Sequence, residues 1–314
     1  ETAYYVDGFS QRGPLTGNSS TAINNSAIEE VVLLNGGFNA EYGRIMSGVV
    51  NVVTKEGGDH YSGTIEALTD NVSSSSEFLN TRIYDYNAYD GAFGGPIMPG
   101  QNFGNFYVSG QRRWQRDRAP KSNYGGPVPS NSLGGWTGQG KLNFDIGQNM
   151  KLKFGALVSA DDWNEYRNSY RFNLAHAPHY EDRNSSYNAT FNHTLNSETF
   201  YNLAVTTFQT ERKRGDGMFF DDLPAYARTP DVDLRSDIPW FYPGFGGTPG
   251  DPLSDSLAAS ALAVPGSTGA LWDDYLRRKS SYLAYRGDIT SQVSRYHQLR
   301  GGAQYDQHTL RFYQ

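Results

Sequence analysis

The side chains most able to do chemistry in this sequence are carboxylates, arranged in adjacent pairs and in one crowded stretch. Asp161-Asp162 and Asp221-Asp222 are acid pairs of the type a glycosidase sets across a scissile bond, but adjacency along a chain does not supply the required separation. Between Gly215 and Arg278 lie Asp216, Asp221, Asp222, Asp231, Asp233, Asp237, Asp251, Asp255, Asp273 and Asp274. Calcium takes roughly six to eight oxygens, which makes loop 215–278 a calcium candidate. No EF-hand spacing is present, however, and a solvated acidic loop is the preferred reading. His176 and His179 are three apart, but Pro178 between them disfavours the helix that would make them a ligand pair. The sequence has neither a serine nucleophile elbow nor a phosphate-cradling glycine loop. Zero Cys removes thiolate zinc sites and cysteine nucleophiles together. The expectation is therefore no enzyme, no catalytic residue and no resident cofactor. Arg214-Gly215-Asp216 and Arg286-Gly287-Asp288 spell an adhesive tripeptide, which chance explains in so glycine-rich a chain. The run from Trp240 to Phe245 is a different kind of feature. Trp240, Phe241, Tyr242 and Phe245 are candidate contacts for a substrate or a protein partner, with self-packing of the loop as the alternative.

The chain around these residues has 314 residues, 27 Lys plus Arg against 33 Asp plus Glu, and 37% hydrophobic residues. An acidic balance without a basic block gives nucleic acid no electrostatic footprint. No apolar run reaches the roughly 18 residues of a membrane helix. Aromatics at 14% are too many for a disordered chain. The length sets about two units as the prior. The chain opens at Glu1 with neither Met nor a signal-peptide pattern, and it stops at Gln314 within an apparent strand. It reads as an internal fragment.

Positioning falls to strands. From about Tyr61 the sequence alternates with period two, so each stretch has one apolar and one polar face. Trp136, Leu142, Phe144 and Ile146 oppose Thr137, Gln139, Lys141, Asn143 and Asp145; Tyr187, Ala189 and Phe191 oppose Asn188, Thr190 and Asn192. Leu157 and His193 break the rule. Strands are predicted near 60–70, 87–97, 103–115, 134–147, 150–164, 185–196, 199–213, 280–293 and 297–313. Tight turns alternate with long excursions at 71–86, 114–133, 161–184 and 215–278, as in an up-and-down outer-membrane barrel. A soluble sandwich or lipocalin-like barrel is the competing reading. Tyr4, Tyr61, Tyr187, Tyr201, Tyr282 and Tyr313 are candidates for interfacial girdles.

Residues 1–58 read as a separate compact unit of short strands, with 59–314 as barrel wall. The run Ile28–Gly37, then Gly37-Phe38-Asn39-Ala40-Glu41-Tyr42-Gly43, Met46–Gly58 and Phe93-Gly94-Gly95-Pro96-Ile97 resemble TonB-dependent outer-membrane transporters, the Oar-like subgroup in particular. The resemblance implies an all-β barrel of 22 antiparallel strands, about nine of them present here, with an α+β plug domain in its lumen. Residues 1–58 would then be the C-terminal part of the plug, and 59–314 the N-terminal part of the barrel. The positions carried over to the plug are Asp7, Gly8, Glu29, Gly36, Gly37, Tyr42, Gly43, Gly48, Asn51, Thr54 and Lys55. Val32 stands where the family places a second Glu, which leaves Glu29 as the candidate for that contact. A polar lumen wall would come from Glu66, Gln139, Lys141, Asn143, Asn188, Asn192, Asn202, Arg286 and Asp288. The implied setting is the outer membrane of a Gram-negative bacterium, with TonB and ExbB-ExbD, outer-membrane lipids and an extracellular substrate as partners. The implied role is energised transport; the alternative is a scaffold or export protein that binds an extracellular protein.

Overall fold

Asp7 and Gly8 have φ of +51° and +82°. A two-residue type I′ hairpin needs positive φ at both central positions, and Asp-Gly supplies them. They join β1 (Thr2–Val6) to β2 (Phe9–Ser10). β1 also pairs in parallel with β4 (Gly48–Thr54), which pairs antiparallel with β3 (Ile28–Leu34), giving a sheet of order β2-β1-β4-β3. The computed structural model describes residues 2–11, 13, 22–35, 48–71, 83–101, 103–120, 126–170, 173–226 and 271–314. Among the described residues, the unit at 2–58 is this sheet with one 3-10 turn, Asn25–Ala27, and no α-helix. The Val-rich runs suggested strands buried on both faces. Val49 is fully buried, but β3 is an edge strand and exposes Val31 and Leu33.

A meander follows, each strand antiparallel to the next: β5 (Ser62–Thr69), β6 (Asn87–Pro96), β7 (Gly104–Gln115), β8 (Leu133–Asp145), β9 (Met150–Asn164), β10 (His179–Asn196), β11 (Thr199–Gly215), β12 (Leu276–Ser294) and β13 (His297–Tyr313). These are the nine predicted strands, with two corrections: β10 starts at His179 rather than 185, and β12 at Leu276 rather than 280. The early residues are polar and look like loop, yet they continue the ladder because their side chains pair across it. Asp182 faces Arg212, and Tyr180 stacks on Trp163 at 5.0 Å.

The two faces have the polarity of a membrane wall. Val108, Leu203 and Ile289 are 49%, 51% and 49% exposed on one side. On the other, which carries the small sheet, Thr137, Gln139, Ser159 and Ser186 are buried. A lipocalin-like or sandwich fold would bury the apolar side instead. The exposed side also carries aromatic clusters toward both ends. Tyr89 and Trp114 meet at 5.3 Å near the long loops, and Tyr61, Phe93 and Phe106 near the short turns. Two tyrosines leave the predicted girdle. Tyr4 belongs to the small sheet, and Tyr282 points to the opposite face, where its hydroxyl donates to Ser10 O. Leu157 is likewise buried on the small-sheet side. Placing Arg at Val108 should cost about 2–4 kcal/mol if the residue sits near the bilayer midplane. The readout is the fraction of protein reaching the folded, heat-shiftable form, which Val108→Arg should lower and Val108→Leu should not.

Candidate functional site

The small sheet meets the wall through one shared carboxylate. The hairpin aims Asp7 at the end of β4, where it accepts from the Thr54 amide at 2.9 Å and the Thr54 hydroxyl at 2.7 Å. Asn51 Oδ1 accepts from the Gly8 amide at 3.2 Å, which fixes the turn from beneath. Into this arrangement reaches Lys141 from β8. Its Nζ donates to Asp7 Oδ1 at 2.9 Å and to the Thr54 carbonyl at 2.8 Å, and lies 3.7 Å from Glu56. The Lys141 side chain is only 9% exposed, so water screens this contact little.

Glu56, just past β4, extends the contact toward the short turns. It accepts from Lys153 at 3.0 Å and from Asn143 at 3.1 Å. Partial burial opposes its charge, but Lys153 foremost, with Lys141 and Asn143, holds its carboxyl below the usual carboxylate range. Among the described residues, three neutral contacts add to the seam. The Tyr107 hydroxyl donates to Ser26 O at 3.1 Å, Gln11 donates to Ser186 Oγ at 3.2 Å, and Tyr282 donates to Ser10 O. Glu56, Lys153, Gln11 and Tyr107 were not singled out from sequence, and Tyr282 was assigned to a girdle rather than to this seam. Glu56 and Lys153 carried a weak signal: a lone acid ends the β4 run, and a lysine sits on the polar parity of its strand.

All nine residues proposed for the polar wall have their side chains on the small-sheet face, as the cross-strand register fixes. Glu66 stands opposite Asp90, which accepts from Gln111 at 3.0 Å. Gln139 is opposite Ser109, and Asn143 bonds Asn105 at 2.8 Å. Asn188 lies across from Gly155, where an added Cβ would sit 2.6 Å from its amide nitrogen. Asn192 faces Asn202, Asn202 faces Asp288, and Arg286 pairs with Asp288 at 2.7 Å. In the small sheet, Gly48 opens β4 and Lys55 donates its amide to Ala27 O. Glu29 sits exposed at a bulge in β3 and makes no ion pair among the described residues. Gly36, Gly37, Tyr42 and Gly43, together with Trp240, Phe241, Tyr242 and Phe245, lie outside the described residues.

At the other end of the wall, each long loop begins with an acid that closes its base. Asp70 accepts from the amides of Tyr84 and Tyr86, and Asp117 from those of Ala119 and Val128. Glu165 accepts from the Tyr180 hydroxyl at 2.6 Å. Asp216 is fully buried and takes the amides of Met218, Phe219 and Trp272 and the Nδ1 of His176. Burial works against its charge, yet His176 and those amides hold its carboxyl below the usual range. Arg214-Gly215-Asp216 therefore presents no adhesive side chain. Asp221 is held by Lys213 and Tyr275, and Asp274 by Arg214. Asp231, Asp233, Asp237, Asp251 and Asp255 of the calcium candidate lie outside the described residues. Asp161 and Asp162 lie within β9, where neighbours point to opposite faces, so they do not form an acid pair. Asp162, His179 and Glu181 bring ligand atoms within 4.8 Å of one another, but Arg183 already engages Glu181 at 3.3 Å.

Comparison with solved structures gives the class. The chain superposes on the siderophore receptor PirA of Acinetobacter baumannii with a TM-score of 0.65 at 16% identity, covering 98% of this chain and 40% of that one. The ferric enterobactin receptor PfeA of Pseudomonas aeruginosa matches at 0.60 and 14%, over 98% and 41%. The outer membrane transporter YddB of Escherichia coli matches at 0.58 and 12%, over 99% and 41%. The large sheet thus has the fold of a section of the barrel wall in these receptors. Among curated proteins the chain is similar to the TonB-dependent transporter Oar of Myxococcus xanthus, 33% identical over 67 residues, which is 21% of this chain and 6% of that protein. No known family profile matches the chain. It spans about two-fifths of the solved receptors it matches.

Two outcomes test the contact. Lys141→Met leaves Asp7 without its counter-charge and should weaken docking of the small sheet by about 1–3 kcal/mol. Adding Asp7→Asn should recover part of that loss, since the two effects are coupled. Hydrogen exchange of the β1 and β4 amides reads both. Glu56 has a depressed carboxyl, so its contribution is complete above the unfolded value and fades as pH falls through the lower folded one. Protection of the amides of residues 54–58, taken relative to the intrinsic exchange rate at each pH, should fall on acidification below about pH 4.5, and Glu56→Gln should flatten that acid limb.

Proposed function

We propose that the chain works as part of an energised outer-membrane transporter that binds an extracellular substrate and passes it through a plugged barrel. TonB, with ExbB-ExbD, supplies the pull. The observation that carries this reading is the Lys141–Asp7–Thr54 contact with its Glu56 extension: it is polar, local and made through a few side chains. An interface of that kind holds a plug at rest and releases it under load without unfolding the wall. The outer membrane has no nucleotide supply, so the work has to arrive mechanically. On this reading residues 1–58 are the later part of the plug and 59–314 the first part of the barrel. A scaffold or export role would instead call for a protein partner held on the long loops.

Fractionation of the full-length protein should place it in the outer membrane with a gel band that shifts on boiling. Pulling from the N-terminal side should release the small sheet at lower force than it takes to extract a wall strand, and Lys141→Met should lower that first force further. A soluble protein without a heat shift, or a wall that fails before the small sheet, would overturn the reading.

A further inference from the structure

Near the long-loop ends, on the small-sheet face, one register row runs Arg113, Gly135, Asp161, Asp182, Arg212 and Arg278 across six strands. Arg113 reaches over Gly135 to Asp161 at 2.7 Å. Glycine is what lets it pass, because a Cβ at Gly135 would lie 2.0 Å from Asp161 Oδ1. Arg212 holds both oxygens of Asp182. Directly opposite Arg212 stands Arg278, half-buried and without a hydrogen bond or ion pair among the described residues. Two like charges in direct cross-strand register repel, and the carboxylate beside them is already engaged.

The row above adds a second, independent observation. It holds Trp163, Tyr180 and Arg214, with the guanidinium groups of Arg212 and Arg118 lying 5.4 and 6.0 Å from the Trp163 ring. Trp163 is 9% exposed and its Nε1–H has no partner; the Nε–H groups of Arg113 and Arg214 are also buried and unpartnered. Among the described residues, each buried side-chain atom left unpartnered in these two rows is a donor. Buried donors without acceptors are costly, and guanidinium forks match carboxylate and phosphate oxygens.

We propose that this part of the wall, around Arg113, Trp163, Arg212 and Arg278, binds an oxyanion, and that the substrate arriving at the long-loop end is an acidic molecule carrying carboxylate or phosphate groups. The inference rests on the transporter reading and gives it a substrate class. Asp161 and Asp182 then act as resting counter-ions that hold Arg113 and Arg212 in place, while Arg278 is the cation left for the ligand.

Calorimetric titration of the full-length protein in detergent with citrate, pyrophosphate and neutral maltotriose tests it. Citrate, pyrophosphate or both should bind, weakening steeply as salt rises from about 0.05 to 0.5 M; maltotriose should not. Citrate alone marks a carboxylate substrate, and pyrophosphate alone a phosphate one. Arg278→Gln should weaken anion binding about tenfold or more, and Arg278→Lys should retain part of it. Asp182→Asn, which frees Arg212, should bind as tightly as the native protein or tighter. Anion binding unchanged in Arg278→Gln, a preference for maltotriose, or a native protein that binds neither anion would overturn the proposal. The heat-shift gel on the same samples separates the two failures. A native protein without the shift defeats the transporter reading, whereas a shifting barrel blind to anions defeats only the oxyanion site.

Discussion

A strand that turns an apolar side outward must carry its polar side chains on the other, and those side chains then need partners of their own. Everything else in this chain follows from that constraint. The wall strands supply hydroxyls, amides and lysines on a single face, and neighbouring strands satisfy part of them, as Asn143 does with Asn105 and Asn184 with Ser159. The small sheet satisfies another part. The bond from Lys141 to Asp7 works because the same carboxylate also closes the Thr54 end of β4. One acid therefore shapes the small sheet and attaches it to the wall.

The seam is uneven, and its unevenness has a physical logic. The ionic contacts gather around Lys141, Lys153 and Glu56, on the side of the short turns. Among the described residues, the bonds that Gln11 and Tyr282 make nearer the long loops are neutral. Neutral hydrogen bonds contribute less than charge-assisted ones. Among the described residues, the charge-assisted part of the attachment thus lies near the short turns.

Much of the wall was legible because strand parity is a local property. Gln139, Lys141 and Asn143 alternate with apolar neighbours, and that alternation alone puts them on one face. What parity could not supply was partners. Asp7 meets Thr54 across 47 residues and Lys141 across 134, distances over which a single sequence carries no signal. The starts of β10 and β12 were missed for a related reason. Their first residues are polar, and only cross-strand pairs such as Asp182 with Arg212 hold them in the ladder. Asp161 and Asp162 read as a loop pair because adjacency looks like proximity, yet within a strand it separates two side chains onto opposite faces.

Asp70, Asp117, Glu165 and Asp216 each sit at the first residues beyond a rising strand and fasten the loop at its root. A loop fastened in this way is insulated from the sheet below it. Residues can be gained, lost or exchanged in its outer part while the strands keep their register, because the closing bonds lie between the variable segment and the wall. The scaffold can therefore hold its architecture constant while the loop sequence beyond these bonds changes.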